Sequence, residues 1–175
     1  ETAEIWTTTP APAGGPSPCQ IRHGAGYSNW SKRSNGFEQD LTIFVAPDAP
    51  VKFIKLRLRN LRNQTRRVTA TYYAEWLLGA MISANRAHII SEYDAEHHAL
   101  LARNPWNQEF ANRVAFLASS CAPHSLTIDR RDFIGREGDL ARPTGLRRWD
   151  LGGQIKDAVD PCATFQVHME MAADE

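Results

Sequence analysis

Three stretches of this chain alternate strictly between apolar and polar positions. Phe37, Gln39, Leu41, Ile43 and Val45 alternate with Glu38, Asp40, Thr42 and Phe44. Ile54, Leu56 and Leu58 alternate with Lys55, Arg57 and Arg59, and Val68, Ala70, Tyr72, Ala74 and Trp76 with Thr69, Thr71, Tyr73 and Glu75. A period of two puts one set of side chains on each face of an extended strand. Pro47 and Pro50 stop the first stretch and the polar run NLRNQTRR separates the other two. The pattern predicts an antiparallel meander of three strands with one buried face. The faces led by Leu41/Ile43, Ile54/Leu56/Leu58, Tyr72/Trp76 and Phe165/Val167 are expected to be buried together.

The flanking segments follow the same logic. Residues 7–18 hold four prolines and two glycines, which forbid helix and deny a strand its ladder donors. This segment is a predicted loop, with a short strand before it at Glu4–Trp6. Strands are predicted at Cys19–His23 and Tyr27–Arg33. Ser34-Asn35-Gly36 is a hairpin turn signal, because asparagine and glycine tolerate positive φ. Later strands are expected at His88–Tyr93, Ala99–Arg103, Arg113–Ser119, Ser125–Ile128 and Cys162–Met171. Asp129–Ile134 can close a helical turn, and Gly135–Pro143 reads as a loop bearing arginine and glycine. With no long segment of period 3.6 and no repeat of 20–50 residues, the fold class is all-β, an antiparallel β-sandwich.

Composition narrows the function classes. Lysine plus arginine equals aspartate plus glutamate at 20 each in 175 residues, so net charge argues for neither nucleic acid nor an acidic membrane surface as partner. No apolar run approaches the ~18 residues of a membrane span. Three cysteines, Cys19, Cys121 and Cys162, lack any paired spacing, which fits reduced thiols rather than a disulfide framework or a zinc site. The opening Glu1-Thr-Ala-Glu-Ile-Trp shows neither an initiator methionine nor a signal peptide, and reads as a piece of a longer chain.

Candidate chemistry is sparse. His97 and His98, near Asp94 and Glu96, sit in a polar turn, where adjacent side chains diverge; the expectation there is a solvated turn and no metal. No nucleophile-elbow, zinc-protease or phosphate-loop motif is present, so no catalytic residue is assigned. Lys52, Lys55, Arg57, Arg59, Arg62, Arg66 and Arg67 form a run without an acid. It suits a phosphate or polyanion surface, or a solvent face set across a ladder from Glu38 and Asp40.

Five tryptophans invite a third reading, since aromatic faces stack on sugar rings. Trp76 continues the apolar face of its strand and belongs to the core. Trp6, Trp30, Trp106 and Trp149 lie near turns, where they either pack under loops or meet a ligand. Within Asn104–Phe110, Asn104 and Asn107 either present amides to sugar hydroxyls or cap a tight turn.

Taken in order, ETAEIWTTTP, IRHGAGYSNW, SNGFEQDLTIFV, APVKFIKLRLRN, VTATYYAEWLLG, ALLARNPWNQEF, RVAFLASS, FIGREGDLARPTGLRR and DPCATFQV resemble the β-sandwich domain of glycoside hydrolase family 94. This is the family of cellobiose and chitobiose phosphorylases, and the likeness is greatest to the carboxy-terminal region of bacterial cyclic β-1,2-glucan synthases. The resemblance covers nearly the whole chain. It implies a supersandwich related to galactose mutarotase, with residues 1–175 as a single partial domain. The opening strands and the catalytic (α/α)6 barrel would lie outside it. It implies no cofactor, and no catalysis by this part alone.

The implied partners are a β-glucan oligosaccharide, the barrel of the parent chain and a second copy, with no nucleic acid and no direct membrane insertion. The implied location is the cytoplasmic face of the bacterial inner membrane, through the parent. The carbohydrate-binding candidates are Trp30, Asn104, Trp106, Asn107 and Trp149. By chain order, Met81–His88 is the counterpart of a family loop that reaches a neighbouring subunit, with Asn85, Arg86 and His88 as its interaction candidates. A structural or dimerising module without sugar affinity is the alternative.

Overall fold

A computed structural model describes residues 4–156, 158–173 and 175. It contains ten strands: β1 (Cys19–Gly24), β2 (Tyr27–Ser34), β3 (Phe37–Val45), β4 (Lys52–Asn60), β5 (Arg66–Glu75), β6 (Ile90–Asp94), β7 (Ala99–Arg103), β8 (Ala115–Ala118), β9 (Ser125–Asp129) and β10 (Pro161–Met171). The helical content is two single turns, α1 (Ile82–Asn85) and α2 (Arg130–Phe133), and two 3-10 turns at Arg86–His88 and Thr144–Arg147. The chain divides into two units, Glu1–Val68 with Glu170–Glu175, and Thr69–Met169. The all-β antiparallel expectation stands.

The first unit carries a four-stranded sheet in the order β1-β2-β3-β4. The Asn35-Gly36 turn joins β2 to β3 with φ of 55° and 77°, the positive values that a tight hairpin requires. Phe37 and Gln39 are buried on one face. Trp6 stacks on Phe37 at 5.9 Å, and the Arg66 guanidinium lies 4.3 Å from the same ring. Trp6 Nε1 donates to Gln39 Oε1 at 3.0 Å, which satisfies a buried amide. The proline-rich loop is fastened to this core by Lys32, whose ammonium donates to the carbonyls of Thr7 and Gly14 at 2.6 and 2.5 Å. Burial pushes the Lys32 pKa down.

Several expectations are corrected. Glu4–Trp6 is not a strand; its ordered contacts come from the Trp6 ring. The meander runs β1 to β4, and β5 leaves it to sit beside β10 in a sheet ordered β5-β10-β9. Alternation specifies a strand but not its neighbour, and β10 offers six consecutive buried residues from Pro161 to Gln166. The Leu41/Ile43 and Ile54/Leu56/Leu58 faces fall in the first unit, and the Tyr72/Trp76 and Phe165/Val167 faces in the second.

Leu56 is 42% exposed, as is Ile21 at 43%. These two residues end a cross-strand row, Ile21–Trp30–Leu41–Leu56, on the two edge strands. Inner members of such a row are flanked on both sides, whereas its ends are flanked on one.

The second unit adds the sheet β6-β7-β8 to β5-β10-β9. Its core joins Leu100, Leu126, Ile128, Ala163 and Phe165, with Trp76 and Tyr93 packed against it. The predicted helical turn forms as α2, and Asp129 caps it by accepting from the Arg131 amide at 2.8 Å. A second cluster, Phe133, Ile134 and Leu151, packs with Tyr73, whose ring stacks on Phe133 at 5.1 Å. The segment His88–Tyr93 starts later than expected, at Ile90, because α1 and the 3-10 turn occupy residues 82–88.

Candidate functional site

The two candidate sets Asn85/Arg86/His88 and Asn104/Trp106/Asn107, separated in sequence, meet in the second unit. Asn104 is 3% exposed and follows β7 directly. Its amide donates to the Leu78 carbonyl at 2.7 Å and to Asn85 Oδ1 at 2.9 Å, and its own Oδ1 accepts from the Trp106 backbone at 3.1 Å. Asn85 is locked in turn, donating to the Met81 carbonyl at 2.7 Å. Gly79, at φ +148°, lies under this carboxamide, and a Cβ there would collide with the Asn85 side chain. The hydrogen bond between the buried Asn104 and the half-buried Asn85 thus ties the loop after β7 to the turn before β6.

That tie sets two rings together. The His88 imidazole stacks on the Trp106 indole at 4.8 Å with planes 10° apart. With Ala87, Ile90 and Pro105 they line an open cavity of about 320 Å³. Trp106 is 72% exposed, far more than a packing role under a loop would leave it. Asn107 Oδ1 caps the turn beyond, accepting from the amides of Glu109 and Phe110 at 3.1 and 3.0 Å.

Arg86 points elsewhere. It pairs with the buried Asp160 at 3.0 Å, and Arg130 approaches the same carboxylate at 3.7 Å. Arg130 also holds Glu75 at 3.0 Å, and Glu75 accepts from the Tyr73 hydroxyl at 2.6 Å. The Tyr73 and Arg130 hydrogen bonds hold the Glu75 carboxyl below its ordinary range against the opposing effect of burial. Arg86 therefore anchors the turn that carries His88.

The remaining candidates lie apart. Trp30 sits within the first unit's sheet, half-buried, its ring edge-on to His23 at 6.2 Å. Trp149 is 62% exposed and packs against His168 at 4.4 Å and His124 at 5.5 Å. The His124–His168 contact spans 44 positions of sequence, and neither residue carries a local signal that marks it. Burial lowers the His168 pKa, and the neighbouring His124 lowers it further. His97 and Asp94 form a 2.7 Å pair in the expected turn, with Asp94 Oδ1 accepting from the amides of Glu96 and His97. Among the described residues, no group of three or more histidine, cysteine or acidic side chains is placed to hold a metal. Ala87, Ile90 and Pro105, which complete the Trp106 cavity, lie within the segments Met81–His88, His88–Tyr93 and Asn104–Phe110 but carry no polar or aromatic group that would mark them individually.

The family model described as the supersandwich domain of glycosyl hydrolase 94 matches residues 1–175. The chain belongs to that family. Among curated proteins, the cyclic beta-(1,2)-glucan synthase of Rhizobium meliloti (strain 1021) is 30% identical over 155 residues, which cover 88% of this chain and 6% of that protein. The N,N'-diacetylchitobiose phosphorylase of Vibrio proteolyticus is 24% identical over 164 residues, covering 89% of this chain and 20% of the relative. That of Vibrio furnissii is 26% identical over 172 residues, covering 94% and 22%. The glycosyl hydrolase 94 supersandwich seen here thus spans less than a quarter of each relative. Among the described residues, no helix is long and apolar enough to cross a membrane.

Proposed function

We propose that this supersandwich is a noncatalytic carbohydrate-binding part of a protein of β-glucan metabolism, of the cyclic β-1,2-glucan synthase or glycoside phosphorylase type. The observation that carries the reading is the exposed Trp106 ring, stacked on His88 and held by the Asn104–Asn85 hydrogen bond. A sugar ring offers an apolar C–H face to such a shelf and hydroxyls to the groups around it. Asn104 positions the shelf and does not itself reach solvent, while Trp106, His88 and the Asn107 amide supply the contact surface. Catalysis belongs, in this proposal, to the barrel of the parent chain, which the domain adjoins at the cytoplasmic face of the inner membrane.

Calorimetric titration with β-1,2-gluco-oligosaccharides tests it. Trp106→Ala is expected to weaken binding at least tenfold with an unchanged thermal midpoint, because the side chain is largely solvated. Equal affinity in the variant removes Trp106 from the site.

One observation favours the alternative of a structural or dimerising module. β1 and β4 are edge strands carrying the exposed Ile21 and Leu56. Sedimentation at high micromolar concentration shows a dimer on that reading, and Leu56→Glu dissolves it.

A further inference from the structure

The four-stranded sheet of the first unit has a second face with a different chemistry. Across its ladder, Gln20, Ser31, Asp40 and Arg57 form one row, and Arg33, Glu38 and Arg59 the next. These rows line a cavity of about 420 Å³. The register does set Asp40 opposite Arg57 and Glu38 opposite Arg59, the arrangement that would make the basic run an ordinary solvent face. The carboxylates, however, hydrogen-bond elsewhere. Glu38 accepts from Arg33 Nε and Nη2 at 3.0 and 2.7 Å, and Asp40 accepts from the Asn29 amide at 3.0 Å. Arg57 and Arg59 make no ion pair or hydrogen bond among the described residues.

Residues two apart on one strand face have Cα atoms spaced by about 7 Å, so the Arg57 and Arg59 side chains rise from neighbouring points on the same face. Each presents a planar fork of donors suited to a tetrahedral oxyanion. Gln20 and Ser31 add neutral donors in the same cavity.

We propose that this concave face binds a phosphate group, free or esterified to a saccharide, through Arg57 and Arg59. The site is separate from the Trp106 shelf and does not depend on it. Glu38 tempers the site by neutralising Arg33, so its removal adds a third available guanidinium.

The test is calorimetry on the whole chain in low-salt, phosphate-free buffer, with inorganic phosphate, glucose 6-phosphate and neutral glucose as probes. Both phosphates are expected to bind and glucose not to, with affinity falling steeply as salt screens the exposed arginines. Arg57→Gln/Arg59→Gln is expected to lose at least tenfold in affinity, while Glu38→Gln tightens binding several-fold. The opposite sign of the second variant keeps the test decisive even if the double variant folds poorly. Equal affinity for the two phosphates assigns free phosphate, and tighter binding of the ester assigns a sugar phosphate. Absence of heat with both phosphates overturns the proposal, as does an affinity that neither variant changes.

Discussion

Replacing Phe165 by alanine is expected to destabilise the protein by about 3–5 kcal/mol, the range for truncating a buried aromatic ring. Phe165 is 3% exposed on β10, within the cluster of Leu100, Leu126, Ile128 and Ala163, and its ring meets Tyr93 edge-on at 6.3 Å. Apart from Ala163 on β10 itself, those neighbours come from three other strands, so none can move into the vacated space without disturbing its own sheet. Leu56→Ala provides the contrast. At 42% exposure its side chain has less apolar area to lose, and a change under ~1.5 kcal/mol is expected. Urea unfolding of both variants checks the pair: comparable losses would mean that the face of β4 is buried after all.

Lys32→Met is expected to cost about 2–3 kcal/mol, the scale of hydrogen bonds made by a charged donor. The methionine keeps most of the apolar stem while leaving the carbonyls of Thr7 and Gly14 without their shared donor. Because those carbonyls belong to the proline-rich loop, the loss should appear there first. Faster amide exchange and proteolysis between residues 7 and 18, ahead of β2 and β3, is the expected signature. A loop protected as in the parent protein would show that the Trp6–Phe37 stack and the bonds to Gln39 suffice to hold it.

How far these features were legible in the sequence depends on the distance over which they act. The β3 alternation, the Asn35-Gly36 turn, the helical turn within Asp129–Ile134 and the run at β10 are local, and each element formed where its letters indicated. The partner of β5 was not legible, because its pairing with β10 depends on a buried strand some 90 positions away. The register that opposes Glu38 to Arg59 was readable from alternation and turn, yet Arg33, on the neighbouring β2 strand, takes the carboxylate. Choice among several nearby cations is a matter of side-chain reach, which periodicity does not encode.

The candidate site divides in the same way. Asn104, Trp106 and Asn107 stood out as one short loop, and Asn85 and His88 as another. Their union rests on a hydrogen bond between two side-chain amides 19 positions apart. Arg86 looked equally available for a ligand, but its charge is drawn to Asp160, a buried acid in a distant segment. The edge exposure of Leu56 follows from its strand's place in the sheet order, which the sequence of one strand does not contain.

The proposed function places sugar on the Trp106–His88 shelf of this glycosyl hydrolase 94 supersandwich. The five tryptophans give five indole N–H signals in a proton–nitrogen correlation spectrum, and titration with β-1,2-gluco-oligosaccharides reads them individually. A saturable shift of the Trp106 signal, with the His88 ring following and Trp30 and Trp149 unmoved, is the predicted result. A spectrum in which no indole moves at millimolar oligosaccharide, or in which only Trp30 or Trp149 moves, would contradict it.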